Sequence, residues 1–252
     1  MTPRPTSAAN HTLVNGLRLL ELVGAECRQF SVSELATSLG LPKSHVHRLL
    51  RTLLEAGYVA QSADTRKYRS DFRLLALAAP FAEHMPLRIH GGPVLRALSE
   101  RVRSGAYLAV PHRGAPLIVM SDRYRGRPPA HSLGVGERLS RHASAFGKLF
   151  LALQRLPVEE GELRRITPAT ITTLRELRAE LAAIRRQGYS INRRENGAVF
   201  SFAAPVEAPT GELLGAVGVA VEPAQVESRG EAFFIQCVVK AAGELSALPL
   251  GP

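Results

Sequence analysis

The fold of the N-terminal third of this 252-residue chain is decided by the stretch SVSELATSLGLPKSHVHRLLRTLLE, residues 31–55. Ser31 and Glu34 are spaced as a capping box, in which each side chain bonds the backbone amide of the other residue. Gly40 predicts the left-handed residue that ends this first helix, and Pro42 suits the first turn of a second helix, 42–55. Two short helices joined by Leu-Gly-Leu-Pro predict a helix-turn-helix. The apolar face of the second helix comprises Val46, Leu49, Leu50, Leu53 and Leu54.

The opposite face of the second helix is basic. No carboxylate occurs between Lys43 and Arg51, and a helix of this size fits the major groove of DNA, where its N-terminal side chains face base edges. After the helix, residues 58–62 alternate like a strand, 63–65 form a turn, and 66–69 return. We therefore expect a basic hairpin, the wing of a winged helix-turn-helix.

Nine polar side chains on the second helix and the wing are predicted to contact DNA. The helix contributes Lys43, Ser44, His45, His47 and Arg48, of which Ser44, His45 and Arg48 are expected nearest the bases. The residues expected to neutralise phosphates are Arg51, Arg66, Lys67 and Arg69. Two alternatives stay open: the basic face is only solvated, or the winged helix binds a protein. The two histidines are two positions apart and do not share a helix face, so they do not form a metal pair.

The composition favours a polyanionic partner. The chain has 32 basic and 22 acidic residues and a net charge of +10, and such an excess favours binding to nucleic acid. All but four of the cations are arginine, whose planar fork suits phosphates and guanine edges, although a GC-rich genome would also produce this usage.

The same composition excludes several classes of protein. Cys27 and Cys237 are too few for a disulfide scaffold or a four-cysteine zinc site. No apolar stretch approaches the ~18 residues of a membrane span, and the N-terminus lacks the apolar core of a signal peptide. We predict a cytoplasmic protein with no membrane partner, no metal and no cofactor.

Four segments are predicted along the chain: a flexible tail (1–11), a winged helix-turn-helix DNA-binding domain (12–71), a linker helix (72–86) and an effector-binding domain (87–248). The apolar linker helix is expected to bend or end near Ala79, because Pro80 follows. An apolar helix between domains favours burial against a second copy, and one recognition helix rarely supplies enough contacts for a specific operator. A homodimer is therefore predicted.

The C-terminal two-thirds mixes helices with strands. Helices are predicted over 93–103, 174–186 and 225–247, and a further helix begins near Ala145. Hairpin-forming strands in an antiparallel or mixed sheet flanked by helices predict an α+β fold. The predicted strands are 106–111, 116–121, 199–206 and 213–221.

At this point the residues show a family resemblance. Leu39–Leu50 and Glu55–Tyr58 resemble the winged helix of IclR-type bacterial transcriptional regulators, and His142–Ala152 is similar to the family segment HAS-x-x-GK-x-x-LA. Matching segments in family order extend from about Leu13 to Leu248, and include Gly188-Tyr189, Glu195, Ala203–Val206 and Gly211–Pro223. The resemblance implies a GAF-like effector domain, dimers or dimers of dimers, and operator affinity that a small ligand alters.

The resemblance also implies an effector site. The positions that line the pocket of carboxylate-binding relatives correspond here to Ala145, Phe146, Asn192 or Arg193, Ser201, Gly218 and Ala220. Two hydroxyl positions are Gly218 and Ala220 in this chain, and a small loop residue is Phe146. Oxygens of a compact acid would be buried unpaired at about 1–3 kcal/mol each. We expect an effector with an aromatic or larger apolar body, with an acid group that Arg193 could pair; the alternative is that Phe146 packs in the core.

The favoured function is a sequence-specific DNA-binding transcriptional regulator with a palindromic operator and a small-molecule effector. The alternatives are an enzyme with a winged-helix docking module and a non-specific architectural DNA binder. His112, His142 and Ser144 offer pieces of a catalytic site, but Ser144 precedes a helix, where a serine usually caps. The sequence contains no Gly-x-Ser-x-Gly and no phosphate-binding loop. No catalytic residue is predicted.

Overall fold

The computed structural model describes residues 10–26, 28–126 and 133–248. Contacts between residues divide the chain into two compact units, Met1–Glu83 and His84–Pro252. Most of the predicted tail, and Cys27, lie outside the described residues.

The first unit is a helix-turn-helix followed by a hairpin and a further helix. Side chains from all three initial helices and the hairpin form its core, including Leu19, Phe30, Leu35, Leu50 and Val59. The two strands pair antiparallel, so the predicted wing is present in the structure. Its elements are α1 (His11–Ala25), α2 (Val32–Leu39), α3 (Lys43–Glu55), β1 (Val59–Gln61), β2 (Tyr68–Ser70) and α4 (Arg73–Glu83).

Local signals fix the ends of α2. Ser31 and Glu34 form the complete capping box, and Gly40 takes the left-handed conformation with φ of 65°. Pro42 is the N-cap residue of α3, so the helix begins at Lys43, one residue after the predicted start. The predicted apolar face of α3 is buried at Val46, Leu49 and Leu50.

Two prolines lie inside helices that the sequence predicts to end or begin at them. Helix α4 passes through Pro80 and ends at Glu83 instead of stopping near Ala79. Helix α5 (Pro86–Val102) begins seven residues before the predicted start and contains Pro93. A proline inside a helix removes one backbone hydrogen bond, and in α5 packing compensates, because Leu87, Leu95, Leu98 and Val102 are buried.

The second unit is built on an antiparallel sheet. In the described residues the sheet has the order β4-β3-β7-β6-β5, and every neighbouring pair is antiparallel. The strands are β3 (Gly105–His112), β4 (Ala115–Asp122), β5 (Ser190–Arg193), β6 (Phe200–Glu207) and β7 (Leu213–Val221), and the remaining helices are α6 (Ala145–Gln154), α7 (Leu174–Gln187), α8 (Pro223–Arg229) and α9 (Glu231–Ser246).

Each face of this sheet carries its own core. Alternation along β3 places Leu108 in one core, which also includes side chains of α5 and α9. Tyr107 and Ala109 belong to the other core, which includes side chains of α6 and α7. The predicted α+β class, with helices flanking an antiparallel sheet, is confirmed.

The sequence prediction missed one strand and one helix break. Strand β5 was not predicted, since its four residues are too few to show a clear alternation. The single predicted helix 225–247 is divided at Gly230, which has φ of 77° and ψ of 151°. This conformation is incompatible with a continuous helix.

Candidate DNA-contacting face and effector cavity

The predicted DNA-contacting side chains of α3 form one polar face of the first unit. Lys43, Ser44, His47, Arg48 and Arg51 are exposed, while the opposite face is held in the core. Gly40 ends α2 in the left-handed conformation, and the packing of Val46, Leu49 and Leu50 in the core leaves this polar face of α3 exposed.

Two of these side chains have partners that limit what they contact. His45 is half-buried, its Nε2 atom has no hydrogen-bond partner in the described residues, and its Nδ1 atom lies 3.3 Å from a guanidinium nitrogen of Arg48. Arg51 donates to Glu55 over 2.9 Å. His45 is thus placed to orient Arg48, and the charge of Arg51 is partly compensated.

The wing presents a second basic group. Arg66, Lys67 and Arg69 are exposed, whereas Tyr68 between them is buried. Tyr68 pairs with Phe30 at the start of α2, which attaches the wing to the helix-turn-helix. Arg66 has φ of 55° in the hairpin turn, and its carbonyl accepts a hydrogen bond from Gln61.

The second unit contains a cavity of about 380 Å³ between the sheet and the start of α6. Four of the seven predicted effector positions line it: Ala145, Phe146, Ser201 and Ala220. Further lining residues, which the sequence analysis did not identify, include Tyr107, Leu133, Arg138, Leu139, Ser140, Ile166, Asn196 and Val199.

Gly218 lies under the ring of Phe146 instead of lining the cavity. A Cβ atom at Gly218 would overlap the Phe146 ring and the backbone oxygen of Phe202. Phe146 is buried and belongs to the core as well as to the cavity wall. Phe146 therefore packs in the core and also lines the cavity, so both alternatives that the sequence leaves open for this residue apply.

The other two predicted effector positions lie outside the cavity lining. Asn192 is buried, and its Oδ1 atom accepts from the amide of Glu195 over 2.6 Å. Arg193 is exposed and forms a two-bond ion pair with Glu231 of α9, with distances of 2.7 and 2.8 Å. Neighbouring residues of a strand point to opposite faces, and the Arg193 side chain is directed to Glu231 of α9 instead of lining the cavity. The expectation that Arg193 pairs an effector acid therefore has no support from its position.

The start of α6 closes one side of the cavity. Ser144 is the N-cap residue, since its hydroxyl oxygen accepts from the amide of Gly147 over 2.9 Å and donates to the Ser140 carbonyl over 2.6 Å. His142 lies 3.1 Å from the Arg164 carbonyl. These partners account for Ser144 and His142 as structural residues. The first amides of a helix have no intrahelical acceptor, and Ala145 and Phe146 occupy the first turn of α6.

A buried lysine joins the elements around the cavity. Lys148 of α6 has no exposed surface, and its ammonium donates to Glu195 over 2.6 Å and to Glu180 of α7 over 2.9 Å. Burial raises the pKa of Glu195, while the charge of Lys148 opposes that rise. No local pattern predicts these partners, because they are 47 and 32 residues away from Lys148.

The described residues contain neither a cluster of metal ligands nor a helix that could span a membrane. No group of three or more His, Cys, Asp or Glu side chains there is placed to bind a metal ion. None of the helices in the described ranges combines the length and apolarity that crossing a bilayer requires.

Comparison with known proteins identifies both units. A model of the IclR helix-turn-helix domain matches residues 12–63, and a model of the bacterial transcriptional regulator IclR C-terminal region matches residues 80–247. The glycerol operon regulatory protein of Streptomyces griseus is 30% identical over 82% of this chain and 83% of its own length. The transcriptional repressor IclR of Escherichia coli is 27% identical over 96% of this chain and 91% of its own.

A solved structure extends this likeness to the whole fold. The crystal structure of an IclR homolog from Microbacterium hydrocarbonoxydans, complexed with 4-hydroxybenzoate, is 25% identical and has a TM-score of 0.72. The match covers 94% of this chain and 100% of that one.

A helix-turn-helix unit joined to a unit with a ligand-sized cavity defines a ligand-responsive transcriptional regulator. The chain belongs to the IclR family of bacterial transcriptional regulators. The resemblance found in the sequence is thereby confirmed, as is the prediction of a DNA-binding regulator with an effector-binding domain. The enzyme alternative is wrong, because the family and its named relatives are regulators.

Proposed function

We propose that α3 enters the major groove of a specific operator and that the wing contacts the neighbouring phosphates. The exposed side chains Lys43, Ser44, His47 and Arg48 support this role for α3, and His45 orients Arg48 from the same turn. Arg51 and the wing residues Arg66, Lys67 and Arg69 would neutralise phosphates. The DNA-binding module would be residues 12–71, followed by a linker (72–86) and an effector module (87–248), acting in the cytoplasm where the operator lies.

The operator is palindromic in this proposal because the protein binds as a homodimer or a homotetramer. The support is the apolar surface of α4 and of the residue before it: Phe72 is 81% exposed, Leu75 67%, Leu77 64% and Phe81 73%. Helix α1 adds Leu13 and Leu17, which share one face at spacing i, i+4. A second copy of the chain would cover these side chains and place two recognition helices on one duplex.

The effector is proposed to be an aromatic carboxylate. The cavity combines apolar walls from Phe146, Leu139, Ile166 and Val199 with polar side chains, and the first turn of α6 lines it through Ala145 and Phe146; the polar lining side chains include Arg138, Ser140, Ser201 and the carboxylate of Glu137. A helix N-terminus favours an anion. The relative solved with 4-hydroxybenzoate, an aromatic acid, supports this class of ligand.

Effector binding is proposed to change operator affinity through residues 72–85, the segment that leads from the DNA-binding module into α5. A ligand that prefers one arrangement of the two recognition helices shifts operator binding by about 1–3 kcal/mol, and DNA shifts ligand affinity equally. This coupling is the regulatory step of the proposed function.

Binding-site selection from genomic fragments with the purified full-length chain tests the DNA-binding part of this function. The expected result is enrichment of one palindromic consensus. Enrichment of no sequence would instead support the non-specific architectural binder.

Calorimetry tests the effector class. Benzoate and 4-hydroxybenzoate should bind, whereas glyoxylate and pyruvate, which cannot fill the apolar walls, should bind weakly or not at all. Tight binding of glyoxylate or pyruvate without binding of the aromatic acids would contradict the proposed class.

A further inference from the structure

One polar group of the cavity lacks the partner that its burial requires. Tyr107 of β3 has no exposed surface and lines the cavity, and its hydroxyl has no hydrogen-bond partner in the part of the chain that the structure describes. A buried polar group left unpaired costs about 1–3 kcal/mol. Such a group calls for an explanation in a native structure, and a ligand in the cavity supplies one.

The sheet register shows where this hydroxyl lies. Tyr107 pairs with Gly218, and Gly105, two residues earlier on the same face, pairs with Ala220. Ala220 in turn pairs with Ser201. A Cβ atom at Gly105 would overlap the Tyr107 hydroxyl oxygen, so the ring extends along β3 and its hydroxyl lies over Gly105. The hydroxyl is therefore level with Ala220 and Ser201, which both line the cavity.

The chemistry of the neighbouring groups indicates what the hydroxyl would bind. Ser201 adds a second hydroxyl, and its oxygen is 3.4 Å from the Asn192 amide, a long contact that leaves its proton free to donate. Burial raises the pKa of Tyr107, and the nearby Leu133 backbone and the charge of Arg123 oppose this rise. The Leu133 backbone does not reach hydrogen-bond geometry with the hydroxyl. The phenol thus stays protonated at neutral pH and can both donate and accept.

We infer that Tyr107 is a specificity-determining residue of the effector cavity, whose hydroxyl hydrogen-bonds an oxygen substituent on the ring of an aromatic carboxylate. This inference rests on the proposed effector class and narrows it to hydroxybenzoate-type acids. The carboxylate would bind at the first turn of α6, beside Ala145 and Phe146, and the ring oxygen would satisfy the phenol. A plain benzoate would leave the Tyr107 hydroxyl unpaired, and this is the basis of discrimination.

The test compares two ligands in two variants by calorimetry on the full-length chain. Tyr107→Phe should weaken binding of 4-hydroxybenzoate or 3-hydroxybenzoate, whichever the wild type prefers, about tenfold, the loss expected for one hydrogen bond. Binding of benzoate should change by less than about twofold, because benzoate makes no bond to the phenol. Tyr189→Phe is the matched control, since Tyr189 packs against the core on the other face of the sheet. It should change neither affinity.

Thermal unfolding without ligand separates this role from a structural one. Tyr107→Phe should unfold at the same temperature as the wild type or higher, because it removes an unpaired buried hydroxyl. Gly105→Ala, which displaces the hydroxyl but keeps it, should show the same selective loss of hydroxybenzoate binding.

Two results would overturn the inference, and they differ. If both ligands bind the wild type and Tyr107→Phe weakens them equally or not at all, the role of Tyr107 is wrong and the effector class stands. If neither aromatic acid binds the wild type, the proposed effector class is wrong and the inference is rejected with it.

Discussion

At the scale of single residues, a buried cation holds the cavity wall in place. Lys148 joins α6 to α7 through Glu180, and to the segment between β5 and β6 through Glu195. Asn196, which follows Glu195, lines the cavity, and the Glu195 carbonyl is fixed by the Thr170 hydroxyl over 2.6 Å. A cation in this position fixes the distance between two walls of the effector site.

Removing this cation is expected to destabilise the second unit. Lys148→Met leaves the Glu195 carboxylate buried without its partner, and such a change costs about 3–5 kcal/mol. Urea unfolding measures the loss, and the double variant Lys148→Met, Glu195→Leu should recover most of it. A loss below about 1 kcal/mol in the single variant would contradict the assigned role of the ion pair.

One arginine substitution and one lysine substitution separate base contacts from phosphate contacts. Arg48→Ala should weaken operator binding by about 1–3 kcal/mol and relax specificity at one base position. Lys67→Ala should weaken binding to all sequences alike. It should also reduce the slope of log affinity against log salt concentration by about one. Fluorescence anisotropy on operator and scrambled duplexes measures both. Equal effects of the two variants on every duplex would argue against base contacts by Arg48.

The capping box of α2 makes the first unit sensitive to acid. Hydrogen bonds from the Ser31 amide and hydroxyl, with a contribution from Arg28, lower the pKa of Glu34 to about 2. Because the pKa is lowered on folding, the stabilisation is complete above the ordinary value of about 4.3 and is lost as the pH falls towards 2.

NMR titration of the Glu34 carboxyl checks this value. Glu34→Gln should remove part of the acid-induced loss of stability between about pH 5 and pH 2. Glu21→Gln, which removes an exposed charge on α1, should leave that loss unchanged. A Glu34 carboxyl that titrates near 4 would show that the capping box does not form in solution.

At the scale of elements, the sequence predicted best what local chemistry determines. The capping box, Gly40 and the apolar face of α3 act within a few residues of one another, so α2, α3 and the wing could be found without tertiary information. The end of α4 and the start of α5 could not. In α5 packing outweighs the loss of one hydrogen bond at Pro93, whereas α4 continues through Pro80 although none of its side chains is buried within the chain.

The residues of the cavity fall into the same two groups: some belong to a local sequence segment, and others depend on long-range strand pairing. Ala145 and Phe146 lie in a contiguous family segment, and the sequence identified them. Tyr107 was missed because its place in the cavity depends on pairing with Gly218, more than a hundred residues away. Arg193 lies outside the cavity lining; the direction of its side chain depends on the register of β5, a strand that local sequence does not predict.

The apolar surface of α4 gives a prediction about assembly. Phe81→Ser combined with Leu75→Ser should dissociate the proposed homodimer, because both side chains are largely exposed in the single chain and would be covered by the second copy. Light scattering after size exclusion measures the mass, and operator affinity should fall in parallel. Val239→Ser, which changes an exposed apolar residue of α9, is the control. An unchanged mass for the double variant would place the dimer interface elsewhere.

At the scale of the whole molecule, two separately packed units serve one regulatory function. The first carries the charge that binds DNA, and the second carries a cavity whose walls are held by buried contacts. By linkage, a ligand that alters operator affinity must have its own affinity altered by the operator to the same extent. Neither unit needs to change its fold for this coupling.

The most direct test measures the affinity of the full-length chain for its selected operator with and without a saturating aromatic acid that calorimetry shows to bind. The predicted result is a change in Kd of about 5- to 150-fold, in either direction. The ratio of the Kd values with and without the acid should be retained in Arg48→Ala, although both values rise. An operator Kd that stays the same while the cavity is saturated would contradict the claim that ligand binding to the second unit controls the DNA affinity of the first.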